Sequence, residues 1–429
     1  MLKFRWETEF KETEIGEIPK DWEVKRLGDI ANISTGGTPS RKVKKYWGGE
    51  INWLKSQEVN DNYIYDTEEK ITEEGRRNSN AKRIYPPGTL ILAIYAAPTA
   101  GRVGILKTYS TINQALAALE SECNEFLFYS FIGNRERLLL FASGAAQQNL
   151  NLDLIRDFAI PFPPLPEQSR IATVLSWFDE LIENKKRQNE ILEKTAMAIF
   201  KSWFIDFEHF KDEEFVYNED LGKEIPKGWE VRRLGEVAEI IRGVSFQQDE
   251  SSFEYFPKSV PMIRANNIMD NKSIDFRDLM FIPSHKVPEF KKLREKDIIM
   301  VGSNGNPSLV GKFAVFVENP DFPEISFGSF MYCIRTRFDY IFSNLNSDYF
   351  KEFLSSVVSG TNISNLKKSD LENYKLLFPP LPILQRYHSL VEPLFQKIIL
   401  NQKQIMILRK IRDTLLPLLV FGKLRVEEI

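Results

Sequence analysis

Two long stretches of the chain carry apolar residues at heptad spacing. The first follows Pro166 and contains neither proline nor glycine as far as Phe207. Positions seven apart hold Ile171, Phe178, Lys185, Leu192 and Ile199, and those three residues later hold Val174, Leu181, Gln188, Thr195 and Ser202. The pattern predicts a coiled-coil helix with a polar middle. At 1.5 Å per residue, about forty helical residues would span about 60 Å, which is typical of a spacer.

The second stretch follows Pro382 and repeats this design. Its seam consists of Leu384, Val391, Ile398 and Ile405 with Tyr387, Leu394, Leu408 and Leu415, and polar Asn401 lies in the same seam. Both stretches begin with Phe-Pro-Pro-Leu-Pro, at Phe162 and at Phe378. Residues 167–214 carry a net charge of −4 and residues 381–429 a net charge of +4. We therefore expect the two helices to pack together, rather than to be core helices of separate larger domains.

The chain also repeats outside these helices. Residues 17–31 read EIPKDWEVKRLGDIA and residues 224–238 read EIPKGWEVRRLGEVA, with eleven of fifteen positions identical. Later matches keep an interval of 207 residues and then of 216, so the chain is a tandem duplication of a globular domain followed by a long helix. The expected boundaries are 1–165 for the first globular domain, 166–210 for the central helix, 211–380 for the second globular domain and 381–429 for the C-terminal helix and tail.

Each globular domain combines strand and helix patterns. The predicted class is therefore α+β. The predicted strands are 22–27, 90–95 with its partner 102–107, and 298–301; the predicted helices are 28–33, 125–141 and 347–358.

Composition narrows the functional classes. The chain has no apolar run long enough to span a membrane and no signal-peptide pattern, so we expect a cytoplasmic protein. Cys123 and Cys333 lie far apart and each is expected to be a buried thiol, and no cluster has metal-ligand spacing. The net charge of −3 argues against a protein that coats nucleic acid, so any DNA binding must be local.

No catalytic motif is complete. The segment 305–313 resembles a phosphate-binding loop but has one residue too many, and Phe313 stands where Ser or Thr would hold magnesium. No GxGxxG motif follows a strand, and the Asn-Pro-Pro-aromatic signature of amino-methyltransferases is missing. Asp61, Glu68 and Lys70 have only loose nuclease spacing. We therefore infer no active site and no cofactor bound by this chain.

A loop in the first copy combines glycines, hydroxyls, cations and aromatic residues. Its cations and backbone N–H groups could hold phosphates while other side chains reach base edges, although a solvated charged loop would look the same. The candidate DNA-binding residues here are Thr35, Gly36, Gly37, Thr38, Ser40, Arg41, Lys42, Lys44 and Lys45.

Further candidates occupy corresponding places in the two copies. Lys55 corresponds to Arg264, whose guanidinium could bond guanine, and the adjacent amides Asn266 and Asn267 could pair with adenine. The remaining candidates are Tyr95, Arg102, Gln147, Gln148 and Asn149 in the first copy, and Arg242, Ser303, Asn304, Asn306, Lys312, Asn362, Ser364 and Asn365 in the second. The amides could equally cap helices or close turns.

Together these motifs resemble the specificity (S) subunits of Type I restriction-modification enzymes. The resemblance rests on the repeated EIPxxWEVxRLG segment, the Thr35–Pro39 loop with Tyr46-Trp47, and the FPPLPEQ start of a long helix. The second copy departs from it, with Arg242-Gly243-Val244 in place of the GGTP loop and Ile383-Leu384 in place of Glu167-Gln168.

The resemblance implies two target-recognition domains that each read one half of a bipartite, asymmetric double-stranded DNA sequence. It also implies two long helices packed antiparallel with pseudo-twofold symmetry, two methyltransferase subunits as partners, and further restriction and translocase subunits. S-adenosylmethionine, ATP and Mg²⁺ would act in those partners.

The sequence thus predicts a non-catalytic DNA-recognition subunit. Two alternatives remain: an adaptor whose helices join two protein-binding domains without touching DNA, and a stand-alone DNA methyltransferase or nuclease.

Overall fold

The computed structural model describes residues 2–95, 99–143, 150–269, 271–358 and 364–428. The chain divides into two compact units, which we call unit 1 (1–181 with 408–429) and unit 2 (182–407). The boundary falls within the two long helices, so each helix contributes residues to both units. The four-part division expected from the sequence stays a prediction.

The elements of the first copy follow the chain up to the first long helix. Its strands are β1 (Leu2–Trp6), β2 (Phe10–Thr13), β3 (Gly16–Pro19), β4 (Glu23–Arg26), β5 (Asn32–Thr35), β6 (Trp47–Leu54), β7 (Asn62–Ile64), β8 (Glu69–Ile71), β9 (Leu90–Ala93), β10 (Val103–Leu106), β11 (Ser110–Ile112), β12 (Leu116–Glu120) and β13 (Ala159–Phe162). Its helices are α1 (Leu27–Ile30), α2 (Glu73–Arg77), α3 (Asn124–Gly133), α4 (Arg135–Ser143), α5 (Leu152–Asp157) and the long α6 (Leu165–Phe204).

The second copy continues the same order. Its strands are β14 (Phe215–Asn218), β15 (Lys223–Pro226), β16 (Glu230–Arg233), β17 (Glu239–Arg242), β18 (Ser259–Ile263), β19 (Met280–Pro283), β20 (Ile298–Val301), β21 (Ser303–Asn304), β22 (Phe313–Val315), β23 (Ser326–Phe327), β24 (Met331–Arg335), β25 (Ser364–Asn365) and β26 (Lys375–Phe378). Its helices are α7 (Leu234–Val237), α8 (Asp339–Leu345), α9 (Asp348–Val357), α10 (Lys368–Glu372) and the long α11 (Leu381–Val420), after which comes β27 (Leu424–Glu428).

The duplication is visible in the strand orders of the two units. Unit 1 has one sheet of order β5-β12-β9-β10-β7 and another of order β11-β6-β8, and unit 2 has one of order β17-β24-β20-β22 and another of order β23-β18-β19. The pairs β4-β13 and β2-β3 recur as β16-β26 and β15-β14. Unit 1 additionally contains β1 paired with β27. The predicted tandem α+β architecture is therefore confirmed.

The long helices run antiparallel within each unit. In unit 1, the Arg170 Nε atom of α6 donates to the Val426 carbonyl oxygen (2.7 Å), and Asp179 pairs with Arg412 of α11. In unit 2, the Lys185 Nζ atom donates to Gln404 (2.5 Å), and Asn189 accepts a hydrogen bond from Asn401 (2.8 Å). Residues later in α6 thus meet residues earlier in α11, which confirms the expected pairing.

The heptad period of α6 is confirmed, but its predicted register is wrong by one residue beyond the first two turns. Leu181, Gln188 and Thr195 of the predicted seam are exposed. The buried positions are Gln168, Ala172, Leu175, Asp179, Ile182, Asn189, Ala196, Phe200 and Trp203, together with Glu167, Ile171 and Val174 at the start and Phe204 at the end. The apolar pattern predicts the wrong register because the seam buries the polar residues Asp179 and Asn189, whose hydrogen-bond partners lie on other elements.

The predicted seam of α11 is confirmed. The positions Leu384, Tyr387, Val391, Ile398, Asn401 and Ile405 are all buried. Leu394, Leu408 and Leu415 are partly buried.

Most of the predicted short elements occur with small shifts. Strand 298–301 matches β20, and 90–95 and 102–107 contain the antiparallel pair β9 and β10. The predicted helix 125–141 is instead the two helices α3 and α4, with Asn134 between them. The predicted helix 28–33 ends at Ile30, since Ile33 belongs to β5.

The two cysteines differ in their environment. Cys333 is buried, as expected, whereas Cys123 is only partly buried. Among the described residues, no helix is both long and apolar enough to cross a membrane.

Candidate nucleic-acid interface

Several predicted residues of unit 1 meet at one edge of its larger sheet. Strand β12 is antiparallel to both β5 and β9, so the carboxyl ends of β5 and β9 lie beside the start of β12. Thr35 ends β5, and its Oγ1 atom donates to the Leu116 carbonyl oxygen (2.9 Å). Tyr95, which is 45% exposed, follows β9, while Thr38 donates to Gln114 just before β12. The sheet thus joins loops that are far apart in sequence.

Two glycines in this loop are required by close packing. A Cβ atom on Gly36 would lie 1.9 Å from the Ile112 carbonyl oxygen, and one on Gly37 would lie 2.5 Å from the Asn80 Cβ atom. The Gly37 N–H donates to Ile112 (3.0 Å), and its carbonyl accepts from Trp53 Nε1 (2.9 Å). The Gly37 amide is therefore engaged within the protein rather than open to a phosphate.

Three of the predicted cations of unit 1 are already paired. The Arg41 guanidinium lies 3.7 Å from the Trp47 ring centroid and donates to Glu69 Oε2 (2.8 Å). Hydrogen bonds from Arg41 and Lys55, together with their charges, lower the pKa of Glu69 to about 2. Lys45 pairs with Glu74, and the Lys55 Nζ atom lies 2.8 Å from Glu68. Because carboxylates already balance their charges, these cations offer less attraction to a DNA phosphate than the sequence suggests.

Two lysines of the same loop differ from these. Lys42 and Lys44 are exposed, and neither forms an ion pair with any residue that the structure describes. They are the cations of this loop best placed to meet a phosphate.

The remaining unit 1 candidates are a mixed group. Ser40 is exposed, and its carbonyl accepts from Trp47 Nε1 (3.2 Å). Arg102 is half-buried and its carbonyl accepts from the Ala93 N–H (2.9 Å) in the β9–β10 connection. Gln147, Gln148 and Asn149 lie outside the described residues.

The corresponding sheet edge of unit 2 carries different side chains. Arg242 ends β17, and its Nε atom donates to the Ser329 carbonyl oxygen (3.1 Å). The Ser303 N–H donates to the carbonyl of Phe330 (3.1 Å), a residue that is 62% exposed. The Lys291 Nζ atom donates to the Gly243 carbonyl oxygen (2.9 Å). The edge thus joins two cations, a hydroxyl-bearing residue and an exposed aromatic ring.

Two amide-rich segments of unit 2 are joined by backbone pairing. Strand β21 (Ser303–Asn304) pairs with β25 (Ser364–Asn365). Asn304 Oδ1 accepts from the Asn306 N–H (2.8 Å). Asn306 Oδ1 in turn accepts from the Ser308 N–H (3.1 Å), so both amides also close turns.

The other candidates of these segments are described only in part. Lys312 is half-buried, and its carbonyl accepts from the Val301 N–H (2.8 Å). Asn365 is exposed. Asn362 and the side chain of Ser364 lie outside the described residues.

Lys55 and Arg264 occupy equivalent positions. Each follows a strand, β6 or β18, and begins a short 3₁₀ helix. The Lys55 N–H donates to Glu58 (3.0 Å), and the Arg264 N–H donates to Asn267 (2.9 Å). The backbone is therefore held in the same way at both positions. The side chains differ, since Lys55 has an amine and Arg264 a guanidinium.

The structure corrects the assignment of Asn267. Asn267 is 1% exposed and its Nδ2 atom donates to the Asp275 carbonyl oxygen (3.0 Å), so it supports the loop and does not reach a base. Asn266 is exposed. Burial lowers the pKa of Arg264, whose guanidinium lies 4.8 Å from the ring centroid of exposed Phe253. Arg264 and Asn266 remain candidates for base contacts.

Sequence reasoning missed Lys291, Phe253 and Phe330. Nothing in the sequence separates an exposed aromatic residue from a core one, and Lys291 approaches this edge only through its contact with Gly243. The contact becomes visible only once the strands are paired.

Comparisons with known proteins match both copies of the chain. The family model described as "Type I restriction modification DNA specificity domain" matches residues 19–194 and again 226–408. The Type I restriction enzyme MjaIX specificity subunit of Methanocaldococcus jannaschii is 44% identical over 100% of this chain and 99% of its own. The EcoKI specificity subunit of Escherichia coli is 33% identical over 37% of this chain and 34% of its own.

A solved structure has the same fold. The crystal structure of the Type I restriction-modification system S subunit from M. genitalium superposes with a TM-score of 0.51 at 19% identity, covering 93% of this chain and 96% of that one. The family model matches both copies, and the M. jannaschii relative extends over the whole chain. The chain therefore belongs to the family of Type I restriction-modification DNA specificity subunits.

Proposed function

We propose that this chain is the non-catalytic recognition subunit of a Type I restriction-modification complex and reads a bipartite, asymmetric DNA target. The observation that carries the proposal is the convergence of polar loops on equivalent sheet edges of two duplicated units. In unit 1, the exposed residues Lys42 and Lys44 lie in the loop that follows β5. In unit 2, the corresponding sheet edge carries Arg242, Lys291 and exposed Phe330. Similar frames with unlike side chains suit two unlike half-sites.

The proposal includes partners for the long helices. Two methyltransferase subunits and further restriction and translocase subunits assemble with this chain, which contributes recognition and scaffolding. S-adenosylmethionine, ATP and Mg²⁺ act in those partner subunits, and this chain binds none of them. Methylation of purified DNA by this chain alone would instead establish the stand-alone enzyme.

Selection from a random-sequence DNA library tests the proposal against the adaptor alternative. The complex of this chain with its methyltransferase partner is incubated with the library, and bound DNA is sequenced. We expect one enriched motif with two specified halves separated by unspecified bases. No enriched motif would favour an adaptor that does not recognise DNA.

Substitutions at the equivalent loop positions test which half of the DNA motif is read by unit 2. Arg264→Ala is expected to relax one half of the motif, with a loss of roughly 1–3 kcal/mol if the guanidinium pairs with guanine. Lys55→Ala serves as the matched variant and is expected to leave that half unchanged. An unaltered motif for Arg264→Ala would remove Arg264 from the readout.

A further inference from the structure

Three side chains of unit 2, none of them a DNA-binding candidate, form a cluster of possible metal ligands. Asp339 begins α8, and His388 and Glu392 lie on successive turns of α11, four residues apart and therefore on one face. One ligand atom from each residue can be chosen so that all three lie within 4.8 Å of one another. The Asp339 Oδ2 and His388 Nδ1 atoms are 2.6 Å apart.

We infer that Asp339, His388 and Glu392 bind a divalent transition-metal ion, such as Zn²⁺, that links α8 to α11. One imidazole nitrogen and two carboxylate oxygens form a donor set that suits zinc and neighbouring first-row metals better than calcium or magnesium, which prefer oxygen ligands alone. Three protein ligands leave at least one coordination position for water.

The surroundings offer room for that water. Asp339 and His388 line a cavity of about 260 Å³, and Phe342, Phe395 and Ile398 also line it. A cavity of this volume has room for water ligands.

The charge distribution also favours a cation. The carboxylates of Asp339 and Glu392 lie close enough for ligand atoms of both to fall within 4.8 Å of each other, and two carboxylates in one place repel each other. Lys296 partly offsets this repulsion, with its Nζ atom 2.7 and 2.9 Å from the two oxygens of Glu392. Lys296 therefore competes with a metal ion for Glu392. Its removal is expected to strengthen metal binding.

The two copies differ at this place. At the interval of 216 residues, His388 and Glu392 correspond to Ala172 and Ser176, which cannot ligate a metal in the same way. Among the described residues of unit 1, no comparable cluster of three ligands occurs. The site is thus specific to the second copy.

Zinc titration of the full chain tests the inference. Isothermal calorimetry of the metal-free protein is expected to give one Zn²⁺ per chain. His388→Ala should bind at least about tenfold more weakly, since even outer-shell changes cost 10- to 100-fold. His285→Ala removes another exposed histidine of unit 2 and should bind like the wild type. Absence of Zn²⁺ binding in the wild type, or equal affinity in His388→Ala, overturns the inference.

Two further variants separate ligation from an effect on folding. Lys296→Met leaves all three ligands in place and should bind Zn²⁺ more tightly than the wild type. Glu392→Gln should bind more weakly and lose the rise in melting temperature that Zn²⁺ gives the wild type. Unchanged or weaker binding by a folded Lys296→Met, judged by circular dichroism, contradicts ligation through Glu392.

Discussion

Arg425 forms ion pairs with three carboxylates in unit 1. Its guanidinium donates to both oxygens of Glu167 (2.6 and 2.7 Å), to Asp21 (2.8 Å) and to Glu7. Trp22 Nε1 also donates to Glu167 (3.1 Å). Since Arg425 is only 7% exposed, these partners satisfy a charge that would otherwise be costly to bury.

Replacing this arginine should destabilise the protein strongly. Arg425→Met leaves buried Glu167 without its cation and half-buried Glu7 with only the longer contact to Arg5 (3.5 Å), and breaking such a buried pair costs roughly 3–5 kcal/mol. The free energy of unfolding in urea measures the loss. The control is Lys20→Met, which removes an ion pair with Glu9 between side chains that are 62% and 70% exposed and should therefore cost far less. Equal losses for the two variants would contradict this assignment.

Glu7 makes stability depend on acid pH. Burial alone would raise its pKa, but hydrogen bonds from the Glu9 and Thr8 N–H groups and from Arg425 lower the pKa from 4.5 to about 2. A carboxylate with a depressed pKa stabilises the fold above its unfolded pKa. This contribution is lost as the pH falls from about 4.5 toward 2.

Urea unfolding between pH 3 and pH 7 checks this dependence. The wild type should lose stability below about pH 4.5, because the unfolded chain then binds more protons than the folded one. Arg425→Met should show a shallower loss, since one cause of the lowered pKa is gone. Parallel pH profiles for the two proteins would show that Arg425 does not act on Glu7.

Residue roles are the least predictable part of the molecule. The sequence suggests Asn267 as a base contact because amides can pair with adenine, yet its partners, Asp275 and the Arg264 N–H, assign it to loop support. No sequence pattern marks Arg425, since its partners Glu7 and Glu167 lie more than 250 positions away. Such roles depend on tertiary neighbours that spacing does not encode.

At the scale of elements, the register of α6 offers a sharp test. The sequence pattern places Leu181 in the seam, whereas the structure exposes 49% of Leu181 and only 3% of Ile182. Ile182→Ala should therefore cost roughly 2–5 kcal/mol. Leu181→Ala is the adjacent control and should change the free energy of unfolding by less than about 0.5 kcal/mol. If Leu181→Ala lost more stability in urea unfolding than Ile182→Ala, the register predicted from the sequence would be the correct one.

The polar layer of unit 2 gives a second test of helix pairing. Asn401 is buried, and its Nδ2 atom donates to Asn189 Oδ1 (2.8 Å) and Gln188 Oε1 (3.3 Å). Asn401→Leu leaves Asn189 unpaired and should cost roughly 1–3 kcal/mol. The double variant Asn189→Leu with Asn401→Leu should recover stability, because neither polar group then remains buried. A double-mutant cycle of unfolding energies with strictly additive losses would exclude the pairing.

The elements themselves are largely predictable. Proline-led starts at Leu165 and Leu381 and the seven-residue period locate both long helices, because these signals are local. The register of α6 is not predictable in this way, since its seam buries Asp179 through bonds from Tyr129 and Arg412. A buried polar residue with a remote partner cannot be distinguished from a surface one by periodicity.

At the scale of the whole molecule, duplication makes the architecture predictable. The repeat of residues 17–31 at 224–238 implies two similar domains, and the matching sheets of units 1 and 2 bear this out. The grouping of loops at one sheet edge cannot be derived in advance, because it depends on β12 lying between β5 and β9. Strand order is set by long-range pairing.

The negative charge of the whole chain leads to a prediction about salt. With a net charge of −3, attraction to DNA must come from local cations, and Lys42 and Lys44 have no ion-pair partner among the described residues. Removing one cation that neutralises a phosphate should reduce the slope of log K against log salt by about 0.9. Lys42→Gln with Lys44→Gln should therefore flatten the slope by about 1.8 if each lysine binds one phosphate, without changing the selected motif.

Lys45→Gln provides the matched control, because Lys45 is already paired with Glu74 in the folded chain. Its removal takes away little free charge and should change the salt slope less than removal of Lys42 or Lys44. Fluorescence anisotropy of the assembled complex on one DNA duplex, at several salt concentrations, measures all the slopes. If Lys45→Gln flattened the slope as much as Lys42→Gln, the ion pair with Glu74 would have to open on DNA, and the distinction between free and paired cations would fail.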